Sequence, residues 1–404
     1  MKRIVRTILP VGMAAAFLPL FAAVPSSARA ALPAGAVRTQ AAQWGSYFGD
    51  SVAAHRDTTL LPEAFTFQSR VIQVGSSNST QYALLKDGTV WAWGQGTRDE
   101  LGNGRTANAF TRPVRVKFPH GVRIAFLATD AMPFDTALAV DRNGHAWGWG
   151  FNKRGELCLG NTRADKRPVE LPFKKVTALA GANGHAVYLA SYRGLTGVWS
   201  CGSNNEGVGG LGYRGGPSHL KPVAVTGLPS NVVRLYSAYD NAGALTASGA
   251  YYDWGYNKAG QLGCGTAGQP SGTPVKVSLP GIVTQAAQGG SAGKNGQTLV
   301  MLATGALYAW GNDTAGQLGD GRTTSSARPV RFSPPHGVTY AILATGGATS
   351  YAIDTKGHVW AWGNGTAGQL GNGDRRSSTA PVKVEVESRA TMISSTANDA
   401  VVDS

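Results

Sequence analysis

Short apolar runs recur along this chain, separated by turn-forming residues, and in one run of most units two aromatics stand two positions apart. Each unit opens on an apolar segment ending in Gly or Ala, such as Leu179-Ala-Gly181 or Ile342-Leu-Ala-Thr-Gly346. A strand then runs into a tight turn, as in Tyr82-Ala-Leu-Leu-Lys-Asp-Gly88, Thr136-Ala-Leu-Ala-Val-Asp-Arg-Asn-Gly144 and Tyr351-Ala-Ile-Asp-Thr-Lys-Gly357. Asp-Gly and Asn-Gly suit the positive φ angles of two-residue hairpin turns, so each predicts a β-hairpin. The next strand carries its aromatics alternately, at Trp91/Trp93, Trp147/Trp149, Tyr252/Trp254, Tyr308/Trp310 and Trp360/Trp362. Period-two spacing puts both rings of a pair on one face. A glycine-rich loop follows, then a strand announced by proline, as in Arg112-Pro-Val-Arg-Val116 and Arg328-Pro-Val-Arg-Phe332. Proline cannot donate to a ladder and belongs at a strand start or an outer edge.

The unit repeats. Its Trp-Gly step, with Cys replacing Trp in one copy, falls at 44-45, 93-94, 149-150, 201-202, 254-255, 310-311 and 362-363, spaced by 49, 56, 52, 53, 56 and 52 residues. A period in this range signals a repeat architecture. Four short strands per unit predict an all-β fold, a seven-bladed β-propeller of four-stranded blades. Gln43-Trp-Gly45 with Leu61-Pro62 supplies only the later strands of a unit, and the stretch from Thr391 to Ser404 only the earlier ones. The N- and C-terminal strands are therefore expected to share one blade, with 31–404 a single propeller that hides its sheet edges by closing.

The pattern Gly-x-Val-Trp-x-Trp-Gly … Gly-Gln-Leu-Gly … Pro-Val, as it stands in 357–373 with Pro381 and 305–321 with Pro329, resembles the repeat of the regulator of chromosome condensation family. The resemblance covers residues 40–404 and implies a seven-bladed propeller. It also implies a possible role as guanine-nucleotide exchange factor for a small GTPase, although no exchange residue can be placed on this chain. Plant ultraviolet-B photoreceptors share the propeller, but their Gly-Trp-Arg-His-Thr motif is absent here. Secreted beta-lactamase inhibitory proteins include a similar propeller, which adds inhibition of a secreted enzyme as an alternative.

Charge and address narrow the choice. The 404 residues carry a formal +14, which favours polyanionic partners. Lys2, Arg3 and Arg6, the apolar run from Ile8 to Val24 and Ala28-Arg29-Ala30 read as a signal peptide over 1–30. The expected product is a secreted monomer with no membrane span after processing; an amino-terminal anchor is the alternative. Export permits disulfides, but three cysteines leave at least one unpaired within the chain. Cys201 occupies a tryptophan slot and reads as a small buried hydrophobe. Cys158 and Cys264 lie in loops after Trp-Gly strands, where a bond is possible but nothing selects it.

Catalytic and metal chemistry finds little purchase. The seven histidines have no ligand spacing, and Asp87, Asp141 and Asp354 sit in or beside turns, a conformational role. Gly207-Val-Gly-Gly-Leu-Gly212 matches a dinucleotide fingerprint but lies between two strands, which voids it. No enzyme, metal or cofactor is expected. Trp44, Trp93, Trp149, Trp254, Trp310 and Trp362 are assigned to packing between blades. One pattern points to binding: after the Leu-Gly turn an arginine recurs at Arg105, Arg163, Arg214, Arg322 and Arg375, with Arg56 in the partial unit. Equivalent propeller loops share a face, so these form a broken basic ring, suited to the phosphates or carboxylates of an acidic protein or polymer. The expected function is a secreted, non-catalytic interaction scaffold.

Overall fold

Every hairpin of the repeat places its second strand between two others, and that strand is the most buried. Thr80–Leu85, Thr136–Asp141, Asn241–Thr246 and Thr349–Asp354 are buried at every position. The computed structural model describes residues 39–45, 59–77, 80–128, 135–182, 184–290, 296–386, 389–395 and 399–403. The signal-peptide expectation over 1–30, and Arg56, lie outside them. No helix among the described residues is long and apolar enough to cross a membrane.

The strands form four-stranded antiparallel sheets. Six are runs of four consecutive strands. The first blade is Val71–Ser76, Thr80–Leu85, Val90–Gly94 and Ala109–Arg115. The second to sixth blades span 124–170, 174–224, 232–276, 283–332 and 340–383. The remaining sheet takes Thr39–Gly45 and Thr59–Phe67 from one end of the chain, and Ile393–Ser395 and Asp399–Asp403 from the other. Trp44 pairs with Ala400 across it, and Gln43 with Val401. The expectation of a seven-bladed propeller is corrected here: six blades are contiguous four-stranded repeats, and the sheet shared by the two chain ends is a composite, not a seventh repeat. The reason lies in the chain ends: Thr39–Gly45 has Thr59–Phe67 on one side, and its other side is filled by Asp399–Asp403 from the far end of the chain.

The sheets follow one another in a closed circuit. Val71–Ser76 packs on Ile124–Leu127, Thr136–Asp141 on Lys174–Ala182, and the first strands of the later blades on each other in turn. Ile393–Ser395 then lies against both Tyr340–Thr345 and Val71–Ser76, which closes the ring. First strands are therefore innermost, and the proline strands form the rim. There Pro113, Pro168, Pro222, Pro274, Pro329 and Pro381 remove one ladder donor each. Exposed Arg115, Lys276, Arg331 and Lys383 add charge to the same outer strands. Both devices discourage edge-to-edge association.

Candidate functional site

The loops joining third and fourth strands all leave the ring at the end where first and second strands turn, because Thr80 pairs with Gly94 and Thr349 with Gly363. A side chain two residues past the Trp-Gly step braces the loop. Buried Asn152 accepts from Leu157 N at 3.0 Å, and its Nδ2 donates to the carbonyls of Asn161 and Arg163. Asn204 and Asn257 repeat this arrangement, and Asp313 accepts from Leu318 N at 2.8 Å. A buried amide that satisfies both sides of a loop fixes its course without a core of its own.

On these loops Arg105, Arg163, Arg214, Arg322 and Arg375 are all exposed. Arg105 N donates to Asn103 Oδ1, Arg163 N to Asn161 Oδ1 and Arg322 N to Asp320 Oδ1, so short Asx turns present three of them. They share a loop rather than a single register: Arg105 and Arg322 stand three residues after the glycine that closes the turn, Arg214 and Arg375 four. Arg163 stands five after Cys158, the residue in that glycine's place, and faces Asp165 at 3.6 Å.

The five described second-slot tryptophans are fully buried. Indole N–H groups reach back to the preceding blade: Trp149 to Glu100 O at 2.8 Å, Trp254 to Val208 O at 2.8 Å, Trp310 to Gln261 O at 2.9 Å and Trp362 to Gln317 O at 3.0 Å. Trp93 donates to Gln43 Oε1 of the composite sheet at 2.6 Å. Facing each indole in the first four pairs is a glycine with positive φ, namely Gly102, Gly210, Gly263 and Gly319, where a Cβ would come within 2.9 Å of the ring.

One junction breaks this rule, and it corrects the reading of Cys201 as a small hydrophobe. Cys158 takes the glycine's place at φ 60°, Cys201 takes the indole's, and the two form a disulfide with Cα atoms 5.5 Å apart. Ring curvature brings each loop against the next blade's third strand, so a partner 43 residues away is a nearest neighbour. A cysteine in the Leu-Gly slot followed one repeat later by a cysteine in the tryptophan slot was the available signal. Cys264 is free and exposed.

Buried ionisable groups also escaped sequence reading. Burial, reinforced by the charge of Asp135, pushes the Glu100 carboxyl up to about 7. Its Oε2 accepts from Arg98 N at 2.7 Å, while Oε1 has no partner among the described residues. Asp135 is buried beside it and paired with Arg98. The same slot holds Gln261, Gln317 and Gln369 elsewhere. Asp253, in a third-strand slot held by alanine at Ala92, Ala309 and Ala361, is raised by burial and accepts from Gln288 Nε2 at 2.9 Å. His185 meets Ser237 Oγ at 2.9 Å, but both are fully buried, and burial lowers the imidazole to about 3. That pair is neutral packing, closed to any substrate. No group of three or more metal-ligating side chains occurs among the described residues.

Glu100 gives a pH prediction. A raised folded-state value means its contribution is intact below the unfolded value near 4.5 and is lost as pH rises through about 7. Glu100→Gln should leave stability unchanged at pH 4 and raise it at pH 8 by up to about 3 kcal/mol. Denaturant midpoints at both pH values test this, and equal midpoints at pH 8 would refute it.

Blades stitched by indole–carbonyl bonds around a ring define a β-propeller of tryptophan-glycine repeats. The chain carries regulator of chromosome condensation (RCC1) repeats, whose family model matches residues 87–127, 304–353 and 356–398. Ultraviolet-B receptor UVR8 of Arabidopsis thaliana is 29% identical over 298 residues, covering 73% of this chain and 65% of the receptor. Human E3 ubiquitin-protein ligase HERC2 is 24% identical over 360 residues, 87% of this chain but 7% of the ligase. Both matches thus span less than two thirds of the relative's length. Among solved structures, Prp20p of Saccharomyces cerevisiae, described with its binding to Gsp1p and histones, superposes with a TM-score of 0.76 at 19% identity over 91% of each chain.

Proposed function

We propose that this chain is an exported, monomeric, non-catalytic propeller that binds an acidic protein or polymer through its arginine-bearing loop face. The observation that carries the reading is five exposed arginines on loops that leave one end of the ring, in a chain of +14 formal charge. A rigid ring that presents polar loops is a binding surface. The Cys158–Cys201 bond supports export, since structural disulfides persist in oxidising compartments. Similarity to Prp20p at 19% identity supports the fold and carries no exchange activity to this chain.

Replacing Arg105, Arg163, Arg214, Arg322 and Arg375 with serine should lower the salt concentration that elutes the protein from heparin. Binding to the unaltered protein should weaken as salt rises, with screening over about 10 Å at 0.1 M. The melting temperature should not move, because these side chains lie outside the indole packing. Unchanged elution of the fivefold variant would reject the reading.

A further inference from the structure

Beside the disulfide, between the second and third blades, an open cleft of about 500 Å³ combines an apolar wall with a surplus of positive charge. Leu171, Pro172 and Tyr192 supply the wall. Tyr192 is held edge-on to Trp199 with centroids 5.2 Å apart, so the wall is rigid. Lys174, Arg193 and Lys221 supply the charge. Glu170, the cleft's carboxylate, is already engaged by Lys174 and by His145 at 3.5 Å. Neither Arg193 nor Lys221 has an ion-pair partner among the described residues, which leaves two positive charges facing the cleft.

The cleft departs from the repeat in several ways at once. It opens at the one described junction where a disulfide replaces glycine and indole. The third blade's hairpin is longer than the others, with Tyr192 paired to Leu195 across an Arg193-Gly194 turn. Arg193 adopts φ 49°, a left-handed conformation unfavourable to a side chain, and its guanidinium lies 5.3 Å from the Tyr192 ring centroid. A cleft that sets unpaired positive charge beside an apolar wall suits an anionic ligand with an apolar body.

We propose that this cleft binds a carboxylate carried on a compact apolar body, the anion between Arg193 and Lys221 and the body against Leu171, Pro172 and Tyr192. This site is separate from the arginine face. Isothermal titration with benzoate tests it, with benzamide and inorganic phosphate as comparison probes. Benzoate should bind at one site with millimolar affinity, as befits its size. Benzamide, lacking the charge, and phosphate, lacking the ring, should each bind at least tenfold more weakly. The Arg193→Gln, Lys221→Gln variant should lose tenfold or more in benzoate affinity while keeping its melting temperature. The fivefold arginine-to-serine variant should bind benzoate as the unaltered protein does. Benzoate affinity that survives the double replacement would overturn the proposal, as would phosphate binding as tightly as benzoate. Should the double variant melt early, Arg193→Gln alone must still weaken benzoate; no weakening would refute the site.

Discussion

Deleting residues 390–404 should cost the protein at least about 5 kcal/mol and turn it into a self-associating species. The deletion removes both carboxyl-terminal strands of the composite sheet and uncovers the edge of Thr39–Gly45, where five residues now pair with Asp399–Asp403. It also removes Val402, fully buried against the sixth blade with Ile353, Val359 and Leu370. Burial of one such side chain stabilises by about 1.5–3 kcal/mol. The Ser76 Oγ to Ser394 Oγ hydrogen bond, 2.7 Å long, would be lost on the first blade's side. The uncovered edge of Thr39–Gly45 would then face solvent, and exposed edges recruit further strands. Denaturant midpoint and light-scattering mass check the outcome together. A truncated chain that keeps its midpoint and its monomer mass would show that the composite sheet contributes nothing to closure.

Breaking the disulfide should be nearly as costly, and its effect should be reversible by design. Cys158 and Cys201 close a loop of 43 residues, which corresponds to about 4 kcal/mol of restricted unfolded-chain freedom. Cys201→Ser, or reduction, should lower the denaturant midpoint accordingly. The combined variant Cys158→Gly, Cys201→Trp should restore much of the loss and remove the sensitivity to reductant. It recreates the pair seen as Gly102 with Trp149 and Gly263 with Trp310. The acceptor is in place: Glu156 O already takes the Tyr188 hydroxyl at 3.2 Å, as Glu100 O takes that of Tyr82 at 2.9 Å together with the Trp149 indole. If the combined variant is no more stable than Cys201→Ser, the disulfide and the indole–glycine contact are not equivalent solutions.

What the sequence determined by itself was local and periodic. Alternating aromatics located the third strands, and Asp-Gly and Asn-Gly steps located the hairpins. The turn role of Asp141 and Asp354 was also legible, since each accepts backbone N–H groups two and four residues on, at His145 and His358 among others. These features depend on neighbours within a few residues, which a linear pattern records. The repeat also located the arginine-bearing loops, though loops of unequal length stagger the arginines along them. What only the tertiary structure decided depends on curvature. Bending the chain into a ring sets each loop against the next blade's third strand, about fifty residues on. That contact made Cys158 and Cys201 partners and buried Glu100 beside Asp135. It also set Leu159 and Glu170 of the second blade beside Tyr192, Arg193 and Lys221 of the third around one cleft. It drew Asp399–Asp403 onto Thr39–Gly45, so that one sheet is shared between the chain's two ends.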